Sequence, residues 1–147
     1  MKKLIFGIIT LLFSSCSDKP KEEFSLIGTT NDIKNGTILY LDIGNKTIDS
    51  AKIENNTFSF HSKLPNSPLQ VIIRKKDFSQ YRFLWAENKP MKFNATKTDF
   101  RNAKITGSES ENLRFSLHQK IDTFPRNKRQ KLEMEFVKNN PNSIVSS

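Results

Sequence analysis

The sequence predicts a mainly β chain: an antiparallel β-sandwich or small barrel of about eight short strands, followed by a helical pair. Three observations predict it. Between Phe24 and Gly107, short apolar runs alternate with turn residues and loops. Five of the twelve Phe (Phe24, Phe58, Phe60, Phe83 and Phe93) sit in alternating runs, as packed sheets require and solvated tails do not. After Gly107 the apolar spacing lengthens to four, which is helical.

Taken in order, Phe24 to Gly28 opens the β region, and the Asn35-Gly36 pair marks a tight turn. Strands are expected at Thr37–Asp42 and Thr47–Ile53, with Gly44-Asn45-Lys46 turning between them. Glu54-Asn55-Asn56 leads into Thr57–His61, where Phe58 and Phe60 share one face and Thr57, Ser59 and His61 the other. Pro65 and Pro68 mark a loop. Further strands follow at Leu69–Arg74, Tyr81–Trp85 and Met91–Ala95, with a weaker one at Ala103–Gly107. Ser108 with Glu111 three residues on reads as a capping box opening a helix. Leu113, Leu117 and Ile121 then lie on one helix face, and Pro125 ends it. Leu132, Phe136 and Val137 mark a second helix, stopped by Asn139-Asn140-Pro141. Such a pair needs a surface to cover, either the sheet or something further along the chain.

The 147 residues suit one domain of ordinary size, with 27% charged and 35% apolar residues. The single cysteine excludes an internal disulfide, a CxxC pair and a cysteine-rich zinc site within this sequence. It stands at Cys16, after Lys2, Lys3 and an apolar run from Leu4 to Phe13. That order is a secretory signal too short to span a membrane, which needs roughly 20 apolar residues. Phe13-Ser14-Ser15-Cys16 looks like a lipobox, with Phe13 where Leu is usual. The expectation is a cleaved signal over 1–15, lipidation of Cys16 and a tether over 16–23. Two or three acyl chains on that residue would hold the protein at the cell envelope membrane, since each buried methylene contributes about 0.8 kcal/mol.

The formal charge of +9 invites a nucleic-acid reading, but the cations are scattered and the chain is read as exported. No nucleic-acid partner is expected. The densest cluster, Arg126, Lys128, Arg129 and Lys131, falls on the second helix as a solvated face, with anionic headgroups or an acidic partner as its plausible clients.

No convergent catalytic set stands out, and no catalytic, cofactor-binding or metal residue is assigned. His61 is expected to face outward, and His118 lies off the apolar face of its helix. Glu109 and Glu111 read as favourable charge at a helix start. Glu133 and Glu135 read as surface ion pairs with basic neighbours, and Asp42, Asp49 and Asp77 as residues satisfying local backbone donors. Tyr81, Phe83 and Trp85 share one face of a strand. The sheet's core is the commoner destination of such a face, and an interaction face is the alternative.

The segment Ile48-Asp49-Ser50-Ala51-Lys52-Ile53, then Glu54-Asn55-Asn56 and Thr57-Phe58-Ser59-Phe60, carries a resemblance. It resembles the domain of unknown function 4369 family of Bacteroidetes lipoproteins, with its "D-S-x-x-I", turn and "F-x-F", followed by a proline-bearing loop and strand at Leu64 to Ile73. Asn56 stands where Gly is common, and Asn also accepts left-handed geometry. The resemblance covers 24–107. It implies a non-catalytic accessory domain that precedes a thioredoxin-like thiol-disulfide oxidoreductase domain. The segment from Phe136 to Ser147 resembles the linker between the two, which implies that 108–147 leads into such a domain. The redox activity itself does not carry over, because no CxxC is present. The alternative is a free-standing lipoprotein that binds a ligand or protein.

Overall fold

The computed structural model describes residues 23–31 and 33–143. The expected signal, Cys16, the tether up to Lys21 and Glu22, and residues 144–147 lie outside the described residues. The strands are β1 (Phe24–Thr30), β2 (Ile38–Ile43), β3 (Lys46–Lys52), β4 (Thr57–Ser62), β5 (Leu69–Lys75), β6 (Tyr81–Ala86), β7 (Pro90–Ala95) and β8 (Lys104–Thr106). The helices are α1 (Glu109–Ile121) and α2 (Arg126–Asn139). Every expected element is therefore present.

The strands form two four-stranded sheets, ordered β4-β1-β7-β8 and β3-β2-β5-β6. The result is a sandwich and not a closed barrel. One pairing departs from the antiparallel expectation: β1 runs parallel to β7, with Leu26 opposite Met91 and Gly28 opposite Phe93. Alternation in a sequence fixes which residues share a face, not which strand lies alongside. Here the whole second sheet is built between β1 and β7, and the chain returns in the same direction.

The two inner faces meet in one core. Leu26, Phe60 and Phe93 come from the first sheet, and Leu39, Leu41, Ile73 and Leu84 from the second, each 0–1% exposed. Each contributes roughly 1.5–3 kcal/mol through burial, against the entropy of ordering the chain. Phe58 packs edge-on to Phe60 and Phe93, with ring centroids 5.7 and 5.4 Å apart. It also covers Gly28: a Cβ there would sit 2.1 Å from Phe58 Cζ. Only glycine leaves room for that ring.

The motif residues have structural work. Asn55 and Asn56 take φ of 50° and 60°, and Glu54 and Thr57 exchange two N–H···O bonds of 2.9 Å. That is a two-residue hairpin with both central residues left-handed, which Asn tolerates. Asp49 on β3 reaches across to the other sheet and accepts from the His61 N–H at 2.9 Å and the Ser62 hydroxyl at 3.3 Å. One side of the sandwich is thereby joined.

On the opposite side the edges are β6 and β8, and α1 packs against both. Ser108 caps it as expected, accepting from the Glu111 N–H at 3.0 Å. The other half of the capping box is absent, because the Glu111 carboxylate turns to the sheet instead. Helix α2 lies on α1, with Leu113, Leu117 and Ile121 facing Leu132 and Phe136 across a groove of about 440 Å³. Arg129 donates to the Phe124 and Asp122 carbonyls and so fastens the start of α2 to the end of α1. The surface ion pairs expected of Glu133 and Glu135 do not form among the described residues. No side chain of α2 is buried.

Candidate interaction face

Alternation sends the even residues of β2 and β5 and the odd residues of β6 to the outer face of the second sheet. Register places Tyr40 beside Arg74, Arg74 beside Tyr81, Ile72 beside Phe83 and Gln70 beside Trp85. The Tyr81, Phe83 and Trp85 face is therefore not the core. Leu84 and Ala86 take the inward positions, at 1% and 0% exposure, while Phe83 is 50% exposed. A run of aromatics alone does not say which parity faces inward; the small and aliphatic residues between them decide it here.

This outer face is apolar and held in place. Tyr81 and Phe83 pack edge to face at 5.9 Å, and the Arg101 guanidinium lies 4.5 Å over the Tyr81 ring. Arg74 is stacked between Tyr40 and Phe78, at 5.1 and 4.5 Å from their centroids, and its Nε donates to Asp42. Asp42, nearly buried, also accepts from the Thr47 hydroxyl at 2.6 Å. It was expected to satisfy local backbone donors and instead holds an ion pair between β2 and β5. Phe78 is half exposed and sits at φ 55°, where a bulky residue is strained. Ile72 is buried on this face yet stands outside the contiguous core. The outer face of the first sheet differs: Ser25, Ser59, His61, Lys92 and Lys104 are polar, and Ile27 is its one exposed large apolar residue among those described.

A polar hub borders the face where α1 meets β6. Glu111, 2% exposed, accepts from Arg82 at 2.8 Å, from Arg114 at 3.1 and 2.6 Å, and from the Trp85 N–H at 3.1 Å. It stands in the first turn of the helix, as expected of a helix-start charge, and its carboxylate also docks the helix. Burial lowers the pKa of Arg82, Glu111 opposes that, and Arg114 adds to it. Beside the hub, Glu87 accepts from the Ser108 hydroxyl at 2.8 Å and the Ser110 N–H at 2.9 Å, and pairs with Lys89 at 2.6 Å. Burial pushes the Glu87 carboxyl up. The bonds from Lys89, Ser110 and Ser108 outweigh that and hold it at about 2.

His61 is exposed, and His118 lies 3.7 Å from Asp122 on the same helix. Asp77 accepts from Ser79, which draws its pKa down, in the local turn role expected of it. Among the described residues no group of three His, Cys, Asp or Glu could hold a metal ion.

The model of the family described as domain of unknown function 4369 matches residues 24–114. The chain belongs to that family. The DUF4369 match continues past Gly107 to Arg114, so it takes in the cap Ser108 and the hub residues Glu111 and Arg114. No curated protein and no solved structure matches the chain.

Sequence reading had singled out Tyr81, Phe83 and Trp85. It had not singled out Asp42, Arg74, Phe78, Arg82 or Glu111 as parts of one surface. An Asp within the apolar run Ile38 to Ile43 was the available sign, since a buried carboxylate needs a cation.

Proposed function

We propose that this chain is a cell-envelope lipoprotein, anchored by an acylated Cys16, whose DUF4369 domain is a non-catalytic accessory module that positions a thioredoxin-like domain. The outer face of the second sheet is the docking surface. The exposed rings of Phe83 and Phe78, with half-buried Tyr81 and Trp85 and the stacked Arg74 beside them, carry this reading. Aromatic residues and arginine are enriched where proteins meet, and a half-exposed Phe on a rigid strand loses little entropy when covered. The partner's class rests on the family resemblance alone.

The test places a photoreactive phenylalanine analogue at Phe83, with Ile27 on the other sheet as control, in cells making the whole chain. A cross-link from Phe83 to a protein or domain with a CxxC pair, absent from Ile27, is the expected result. Equal labelling from both positions would remove the docking surface. Cross-links from Phe83 only to proteins without a CxxC pair would favour the second reading, a free-standing protein-binding lipoprotein, which the same exposed face supports. Replacing Cys16 by Ser should abolish incorporation of labelled palmitate and release the chain from membranes.

A further inference from the structure

Strand β6 is an edge of its sheet. Its pairing with β5 shows which main-chain groups look inward: the Lys75 N–H bonds to the Gln80 carbonyl, and the Trp85 N–H points the other way, to Glu111. By the alternation of an antiparallel ladder, the N–H and C=O of Tyr81 and Phe83 point away from β5 as well. Glu111 closes this edge at Trp85. By the same alternation neither main-chain group of Phe83 bonds to β5, and no loop or side-chain hydrogen bond reaches them among the described residues. An unpaired edge is a template for another strand.

The surroundings select what would pair there. A groove of about 360 Å³ has Phe83, Trp85 and Gln70 on its β side and Arg114 and His118 on its helix side, with Arg82 between. No carboxylate lines it. The two guanidiniums share the one Glu111 carboxylate, and the buried Nε of Arg82 has no acceptor among the described residues. Arg101, stacked on Tyr81, adds a third cation beside the same edge. On the far side of Arg82 a second groove, of about 630 Å³, carries Lys104 and Arg114 against Glu111 and Asp122. The edge is thus bordered by more cations than carboxylates: Arg82, Arg101, Arg114 and Lys104 against Glu111 and Asp122.

We propose that the Tyr81–Phe83 edge of β6 takes an extended acidic segment of the partner protein, which adds a short strand to the sheet. The partner's main chain bonds the N–H and C=O of Phe83, and its carboxylates meet Arg114 and Arg101. Alternate apolar side chains of the same segment lie on the exposed Phe83 ring. This deepens the docking role proposed above, by naming the chemistry of the partner segment, and rests on it.

The test uses the ¹⁵N-labelled whole chain in detergent and three capped peptides: alternating Glu and Val, alternating Lys and Val, and the Glu–Val peptide N-methylated at alternate residues. The Glu–Val peptide should shift the Phe83 amide resonance saturably and protect it from hydrogen exchange. The Lys–Val and N-methylated peptides should bind at least about tenfold more weakly, having lost the charge match or the main-chain donors. Arg114→Gln should weaken binding about tenfold. Arg101→Gln, at an exposed position that the fold does not depend on, should weaken it about threefold. No saturable shift with Glu–Val, equal binding of Lys–Val, or equal binding of the N-methylated peptide would each overturn the proposal. So would phosphatidylglycerol vesicles binding through the same two arginines in place of the peptide. If the Phe83 cross-link forms in cells while the Glu–Val peptide fails, the docking face stands and only the acidic strand is lost.

Discussion

The carboxylate of Glu111 accepts the main-chain N–H of Trp85 across 3.1 Å, so a helix side chain occupies a donor on a sheet edge. The same carboxylate holds Arg82 of the strand and Arg114 of its own helix. Helix α1 buries only Glu111 and Ile121 along its length, and Glu111 is its one buried charge, beside the bonds that Glu87 accepts at the helix start. The position of the helix, and the width of the groove beside Phe83, depend on this contact.

Removing that charge should therefore loosen the helix. Glu111→Ala leaves two guanidiniums facing each other and the Trp85 N–H without its acceptor. The expected cost is about 3 kcal/mol, the range for breaking a buried pair from one side. Glu109, two residues away and 91% exposed at its side chain, should cost under about 0.5 kcal/mol when replaced by Ala. Denaturant unfolding followed by the fluorescence of Trp85, the chain's single Trp, measures both. Equal losses would mean that the helix is held by packing alone.

Acid should act at the neighbouring carboxylate. Glu87 is held at about 2 in the fold against an ordinary value of 4.5. A depressed carboxylate stabilises the fold fully above the higher value, and that contribution is lost as pH falls from 4.5 towards 2. Stability should accordingly drop through that window. Glu87→Gln should flatten the drop, while leaving the wild-type protein the more stable of the two at neutral pH. Because Glu87 is partly exposed, solvent screening reduces the effect, and low salt is the condition to use. Unfolding midpoints from pH 6 down to 2 would decide it, and parallel curves for the two proteins would exclude Glu87 as the group responsible.

Much of this architecture was legible. The alternation of Phe58 and Phe60, the loop prolines and the change of period at Gly107 placed every element, because each reflects local geometry. What escaped depends on who sits opposite whom. The parallel β1–β7 pair, the Asp42–Arg74 ion pair and the Glu111 hub all join residues far apart in sequence. The capping box was half right for the same reason. Ser108 needs only its own helix, whereas the Glu111 carboxylate had a stronger offer from two arginines. Tyr81, Phe83 and Trp85 could be assigned to a common face but not to a side, since aromatic residues suit cores and interfaces alike.

The turn at Asn55-Asn56 offers a local test. With φ of 50° and 60° at the two positions, a Cβ without a polar group is disfavoured. Asn56→Gly should be neutral within about 0.5 kcal/mol, and Asn56→Ala should cost about 1 kcal/mol. Asn35 modulates this, because its side chain accepts the residue-56 N–H at 3.0 Å and does so whichever side chain follows. Thermal unfolding of the two variants separates them. If Ala were as stable as Gly, the hairpin would have to adopt another turn.

The outer aromatic face predicts a separation of binding from stability. Phe60 and Phe83 are alike in chemistry but opposite in setting, one fully buried and the other half exposed. Phe60→Ala opens a cavity in the core and should cost about 3–5 kcal/mol. Phe83→Ser removes a ring that covers only Ile72 and its neighbours from outside, and should cost about 1 kcal/mol or less. The exposed ring is the one that a partner would cover, so Phe83→Ser should lower partner capture in cells several-fold at unchanged protein level. Phe60→Ala should lower capture only as far as it lowers the amount of folded protein. Measuring capture and abundance together gives the ratio that matters. A Phe83→Ser protein that is abundant, folded and captured as well as wild type would leave this face without a role in docking.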